Sequence, residues 1–291
     1  MDWTFYFTQF IAGLSQGMFL FILATGLSLI LGVMGIVNFA HGSFYMIGAY
    51  LTYYLVTLLG GSFWLAIILA SVSLAGIGYL LQRFLIHRLY GRPELQLVFT
   101  FAFVLIFSDL IKMGFGVLPK GVAYPELLSG IFEIGPIRFP KYHIFIITLG
   151  PIIAYLLRML EQRTRMGRIM RAASLNRDMV NALGINTERV FTLVFGIGAF
   201  LAGLGGALAS PTVSIALGMD AAVVLPAFVV VIFGGLGSFA GTFFAALIAG
   251  QVQVFGILFF PRLAESFIFI LMAIVLIARP WGLSNRPPKF A

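Results

Sequence analysis

The sequence predicts an all-α fold: a polytopic membrane helix bundle of about eight or nine spans, with room for broken or re-entrant helices and a parallel internal repeat. Three observations carry this. Of 291 residues, 61% are hydrophobic and 10% charged, with a mean hydropathy of +1.06; soluble domains are about 45–50% apolar. Several runs exceed the roughly 18 apolar residues that read as a spanning helix. They show no alternation, which excludes a β-barrel. The charge is concentrated in one island, EQRTRMGRIMRAASLNRDMVNALGINTER at 161–189, with six arginines and three acids. Such an island projects into water.

The expected spans are 8–33, 44–59, 63–83, 95–113, 142–160, 190–210, 222–235, 239–260 and 265–279. Met1-Asp2 carries no basic stretch, and the first run is too long for a cleavable signal, so the first span is expected to stay. The stretch 222–235 is short for a full crossing and reads as a broken or re-entrant helix. Between the fourth and fifth spans, the prolines at 119, 125, 136 and 140 argue against one long helix. EIGPIRFP there suits a small extended element joined by a turn. In the sixth span, Ala199, Gly203 and Ala207 recur at a spacing that lets helices approach closely, as do Ala202, Gly206 and Ser210. Packing inside the bundle is the expected use.

Positive charge fixes the orientation. With the N-terminus outside, the inner loops and tail hold 13 of the 18 basic residues, among them Arg83, Arg88, Arg92, Arg279, Arg286, Lys289 and seven arginines from Arg158 to Arg189. The opposite topology inverts this ratio. The expected N-terminus is therefore outside and the C-terminus inside. The net charge of +8 belongs to these loops and does not imply nucleic acid. No segment is long enough for a second soluble domain, so residues 1–291 read as a single transmembrane domain.

Several chemistries are set aside. Cysteine is absent, and the three histidines lie far apart without metal-ligand spacing, so no metal site is expected. GLGSFA at 235–240 matches a dinucleotide-binding glycine pattern, but it lacks a βαβ unit and an acid about 20 residues on. GLSQG at 13–17 matches G-x-S-x-G, yet it lies inside a span instead of on a strand-to-helix elbow. No G-x-x-x-x-G-K-[ST] occurs, so ATP-driven work needs a second chain.

An internal echo links GIVNFAHGSFYMIGAYL, from Gly35, to GLGSFAGTFFAALIAG, from Gly235. Both copies lie where the chain turns at the inner side and re-enters outward, as a parallel repeat requires. Polar residues in apolar stretches are few, and Asn38 and His41 stand in the first glycine-flanked break. Backbone groups freed there need internal partners or a water-filled cavity, and intramembrane polar groups are functional candidates. The candidate substrate path is Asn38, His41 and Gly42, with Gly235 and Ser238 in the echo.

Within the island, Ile169, Ala172, Ala173, Met179, Val180 and Leu183 fall near helical spacing. Ser174 and Asn176 are N-cap types, so two short helices are expected, with Gly184 as a stop. Such a segment rests on anionic lipid or docks a partner. Small residues favour protein contact over deep lipid insertion.

Four stretches carry a resemblance. GLSLILGVMGIVNFAHGSFYMIGAYL at 26–51 and MGRIMRAASLNRDMVNALGIN at 166–186 closely resemble ABC-transporter permeases of the LivH type. GGLGSFAGTFFAALI and the later ARPWGL are similar to the same family. The likeness runs from about residue 10 to 283. It implies a non-catalytic permease subunit in a bacterial inner membrane, importing leucine, isoleucine and valine brought by a periplasmic binding protein. The implied partners are a second related permease chain and two cytoplasmic ATPase subunits that use the ATP, with no cofactor bound directly. Related permeases take urea, amides or other amino acids, and a channel or secondary carrier is a further alternative. The family's ATPase-coupling segment maps onto 161–189, around Arg171, Ala172, Ala173, Asp178, Ala182 and Gly184. Many importers open this loop with Glu-Ala-Ala, where this chain has Arg171-Ala172-Ala173.

Overall fold

The computed structural model describes residues 3–135, 137–279 and 281–283; Arg286 and Lys289, counted above with the basic inner side, lie outside the described residues. Among the described residues, nine helices stand where the nine spans are expected. They are α1 (Trp3–Met34), α2 (Ala40–Leu58), α3 (Phe63–Phe84), α4 (Pro93–Phe115), α5 (Lys141–Arg163), α8 (Thr187–Ala209), α9 (Met219–Gly234), α10 (Phe239–Phe259) and α11 (Ala264–Ala278). The island supplies two more, α6 (Arg165–Leu175) and α7 (Arg177–Ala182). The segment between α4 and α5 forms the turn-linked extended element: β1 (Ile131–Ile134) pairs antiparallel with β2 (Ile137–Pro140).

The expected span count needs correcting. Among the described residues, six helices are long and apolar enough to cross a membrane: α1, α3, α4, α5, α8 and α10. Helix α2 has 19 residues, but His41 and four tyrosines lower its hydropathy. It tolerates them because α3, α4, α8 and α9 surround it, so lipid is not its main solvent. Helix α9, with 16 residues, measures about 24 Å at 1.5 Å per residue, short of the roughly 30 Å hydrocarbon core. Gly218 and Gly235, both at positive φ, end it on either side. Helix α11 is the other short apolar one.

Helix α8 is the hub, packing against α1, α2 and α3. Its small residues are what permit this. A methyl added at Gly206 would sit on the carbonyl oxygen of Tyr45 in α2, and one at Gly203 would meet Leu74 of α3 at 2.6 Å. Gly48 of α2 faces Gly203, and Gly78 of α3 faces Ala199. The small-residue stripe is thus used inside the bundle. By contrast, α3, α4 and α5 turn large apolar side chains outward, for example Ile68, Val72, Phe101, Leu105, Ile152 and Leu156. A water-soluble protein rarely exposes so continuous an apolar surface; here it is the lipid-compatible face.

The bundle has two distinct ends. At the hairpin end, the Tyr142 hydroxyl donates to the Leu208 carbonyl at 2.6 Å. Two loops are also clamped there: Lys120 N–H donates to the Ile215 carbonyl at 2.8 Å, and Ile215 N–H returns the bond at 2.9 Å. At the basic end lie α6, α7, the 85–92 turn and the C-terminus of α1, joined by shared apolar packing.

Overpacking a close helix contact costs about 1–3 kcal/mol, more when backbone must move. Gly206→Leu is therefore expected to lower the melting temperature of the detergent-purified protein by several degrees, whereas Ile68→Ala on the exposed face leaves it nearly unchanged. Thermal unfolding followed by circular dichroism checks both.

Candidate functional site

The first break is built by a helix that stops and a chain that folds back. Gly35, at φ +66°, ends α1. Residues 35–39 then run non-helically back into the bundle. The Nε2–H of His41 donates to the carbonyl of Leu23 at 2.9 Å. Leu23 lies eleven residues before the end of α1, about 16 Å back along its axis. The start of α2 is therefore deep in the bundle and not at its surface. The hydroxyl of Thr100 accepts from the Phe39 N–H and sits equally close to the Val37 carbonyl, both at 3.4 Å.

Three of the five predicted path residues meet here, with a fourth group that the sequence does not announce. Asn38 and His41 have no solvent exposure. Both polar atoms of the Asn38 carboxamide lack a hydrogen-bond partner, as does Nδ1 of His41. A methyl at Gly42 would meet the Asp220 carbonyl oxygen at 2.5 Å. Next to it, the Ser43 hydroxyl donates to Oδ2 of Asp220 at 3.1 Å. Asp220, 5% exposed, is a buried carboxylate in the first turn of α9. The expected span begins at 222, which leaves Asp220 in a loop. An acid just before an apolar run, preceded by Gly218, is a helix-start signal and could have found it.

The other two predicted path residues lie elsewhere. Gly235 and Ser238 occupy the turn between α9 and α10 at the basic end. The Ser238 hydroxyl caps α10 by accepting from the Gly241 N–H at 3.1 Å. Gly237 is pressed against Gly32 of α1. The Leu283 N–H donates to the Phe233 carbonyl at 2.9 Å, so Leu283 closes under this turn. The likeness between the two copies covers a positive-φ glycine before each helix start. It does not extend to depth or capping, since Asn38 caps nothing while Ser238 does.

The island forms a two-helix platform. Thr164 caps α6 by accepting from the Gly167 N–H at 3.0 Å, and Asn176 caps α7 by accepting from the Met179 N–H at 2.9 Å. Of the two expected cap residues, Ser174 instead donates to the Arg171 carbonyl. Gly184, at φ +81°, follows the end of α7. The apolar residues at helical spacing divide into two faces. Ala173 and Val180 are buried with Phe191, against Val33, Met34, Tyr90, Ile169 and Ile185. Leu175, Met179 and Leu183 point outward, at 89%, 61% and 73% exposure. Ala172, Asp178, Ala182 and Gly184 share that exposure, as does Arg171, whose guanidinium bonds the Glu161 carbonyl.

Arg177 is the residue that seats the platform, and arginine frequency gives no hint of it. Its guanidinium lies 4.3 Å over the Tyr90 ring and 5.4 Å from that of Phe191, and its Nε–H donates to the Thr187 hydroxyl at 3.3 Å. Burial holds the Tyr90 phenol well above its usual pKa, so it stays a neutral ring. Asn181 completes the tie, its Oδ1 accepting from the Thr187 N–H at 3.1 Å and the Thr187 hydroxyl at 2.8 Å. A desolvated cation–π contact contributes about 1–2 kcal/mol and a hydrogen bond about 1. Arg177→Ala is therefore expected to raise amide exchange over 165–186 by about tenfold or more while leaving α1 and α8 protected. Hydrogen-exchange mass spectrometry reads this directly.

Among the described residues, no group of three or more His, Cys, Asp or Glu side chains is arranged to hold a metal ion. Residues 9–276 match the family described as the permease component of branched-chain amino acid transport systems. The chain is 30% identical to the high-affinity branched-chain amino acid transport permease protein BraD of Pseudomonas aeruginosa, over 97% of this chain and 96% of that one. It is 27% identical to LivH of Escherichia coli K12 over the same shares. Among solved structures, the PsaBC complex of Streptococcus pneumoniae with Fab aligns over 92% of this chain and 89% of that one, at 15% identity and a TM-score of 0.47. With a family match across nearly its whole length, and a membrane bundle to go with it, the chain belongs to the branched-chain amino acid transport permeases.

Proposed function

We propose that this protein is one permease subunit of an ATP-driven importer in a bacterial inner membrane, passing leucine, isoleucine and valine delivered by a periplasmic binding protein. A second related permease and two cytoplasmic ATPase subunits complete it, and the ATPases hydrolyse the ATP. The N-terminus is periplasmic and the C-terminus cytoplasmic, because the end carrying α6, α7 and the 85–92 turn is the arginine-rich one. The relatives' names support the cargo.

The observation that carries this reading is the outward face of the platform. Leu175, Met179 and Leu183 stand in the charged island with most of their surface exposed. Each costs roughly 25 cal/mol per Å² of apolar area left in water, which favours a covering partner. The sequence lacks a P-loop, and an ATPase subunit is the partner that an importer needs at this place. Arg171, Ala172, Asp178, Ala182 and Gly184 lie on or beside this face. Ala173 belongs to its buried seat and acts by holding the surface up.

Alternating access requires the ATP-bound partners to prefer one arrangement of the bundle over the other. The break at 35–42 supplies a site for such a difference. A fully buried, unbonded carboxamide at Asn38 is destabilising by about 1–3 kcal/mol in this state. An arrangement in which Asn38 and His41 reach water or substrate recovers that energy. Gly42, Gly235 and Ser238 sit at the turns that would move.

The test is reconstitution in liposomes with and without the ATPase chains. Leucine uptake is expected only with both ATPases and ATP; uptake by this chain alone would sink the importer reading. Leu175→Glu with Met179→Glu is expected to abolish ATPase co-purification at an unchanged melting temperature. Asn38→Leu is expected to hold or raise that temperature and to slow transport.

A further inference from the structure

A cavity of about 560 Å³ lies between α1, α9, α10 and α11 in the hairpin half of the bundle. Its polar equipment is small and specific. Gln16 of α1 is exposed to it, and its Nε2–H donates to Oε1 of Gln253 in α10 at 3.1 Å. Two carboxamides on a membrane-depth surface are costly against lipid, which favours a face that meets water or a polar ligand. Ala222 and Pro226 of α9 also line the cavity. Proline has no N–H, so the helical partner of the Ala222 carbonyl is missing. The remaining wall is apolar, with Leu225 and Phe269 prominent, and among the described residues no charged side chain lines it.

GLSQG at 13–17 explains how Gln16 comes to face this space. Gly17 lets α1 press on the backbone of α10, where an added methyl would meet the Ala246 carbonyl oxygen at 2.9 Å, and Gly13 lies under the Gln251 amide. The two glycines fix α1 against α10 and leave the intervening Gln16 pointing past the contact. Gln16 is also a wall of a second cavity of about 100 Å³, bounded by Leu23, Tyr45 and Thr212. Leu23 is the residue whose carbonyl holds His41. One glutamine therefore borders both the open cavity and the space leading toward the buried break.

We propose that this cavity is a binding station on the substrate path for a net-neutral zwitterionic amino acid with an aliphatic side chain, held by Gln16, Gln253 and the open carbonyl of Ala222. The reading rests on the importer function proposed above. The carboxamide oxygens and the carbonyl accept from an ammonium, the carboxamide N–H groups donate to a carboxylate, and Leu225 and Phe269 pack the side chain. Among the described residues no charged lining side chain offers a counter-ion, so a charged side chain on the ligand is disfavoured.

The test uses the full transporter with its ATPases and binding protein, reading initial uptake of leucine, alanine and phenylalanine side by side. Ratios between substrates do not depend on how much protein folds. Leu225 is half exposed, so its replacement spares the core. Leu225→Trp is expected to lower the leucine-to-alanine ratio by about tenfold, and Leu225→Ala to raise the phenylalanine-to-leucine ratio by a similar factor, the usual size of a side-chain change in an apolar pocket. Gln16→Leu with Gln253→Leu is expected to lower uptake of all three by about tenfold or more, because the site loses its polar anchors. Ratios and rates that stay within about twofold of wild type overturn the site while wild-type uptake upholds the importer. Loss of co-purification with the second permease instead overturns it in favour of a subunit interface. A wild-type complex that imports no branched-chain amino acid overturns both readings.

Discussion

Backbone that leaves its helix inside apolar surroundings must still find partners for its N–H and C=O groups. That constraint organises this molecule around residues 35–39. Thr100 answers it at Phe39 and Val37, and His41 reaches across to Leu23. Because α2 then starts at depth, its first turn must pass close to α9, where Gly42 leaves room beside Asp220. Its middle must pass close to α8, where Gly203 and Gly206 do the same. The glycine pattern of these helices follows from one buried break.

The platform at the basic end solves a different problem, that of a charged segment anchored to an apolar body. Its inner face is apolar and seated in a pocket shared with the end of α1 and the start of α8. The cation at this seat, Arg177, is held by two ring faces instead of by an acid. A guanidinium tolerates this because it is weakly hydrated and planar. Val33 and Met34 belong to the same pocket and stand immediately before Gly35. The platform and the break are thus neighbours through a single helix end.

Much of this is legible in the sequence, and the boundary is physical. Helix positions, the hairpin at EIGPIRFP, the two-helix island and the stop at Gly184 follow from local rules of length, capping and turn chemistry. Depth does not: nothing in GIVNFAHG states that the His41 side chain meets the carbonyl of Leu23, about 16 Å back along α1 from its end. The apolar residues of the island read as one stripe because periodicity gives angle and not neighbour; the bend at Asn176 separates them into a seat and an outward face. Asp220 is hidden by a span boundary at 222, whereas α9 begins at Met219. By length and composition six of the nine expected spans qualify among the described residues, because α9 and α11 are short and the tyrosines and His41 of α2 lower its hydropathy.

The clamp between Lys120 and Ile215 gives the hairpin end a mechanical character. It ties the 116–140 loop, through two backbone hydrogen bonds, to the short stretch that leads into α9 five residues before Asp220. The two loops cannot be displaced separately without breaking both bonds. A load placed on the hairpin is therefore carried to the head of α9, a short helix with a proline inside it and a glycine at each end. The clamp thus links the hairpin-end surface to the helix that carries the buried Asp220.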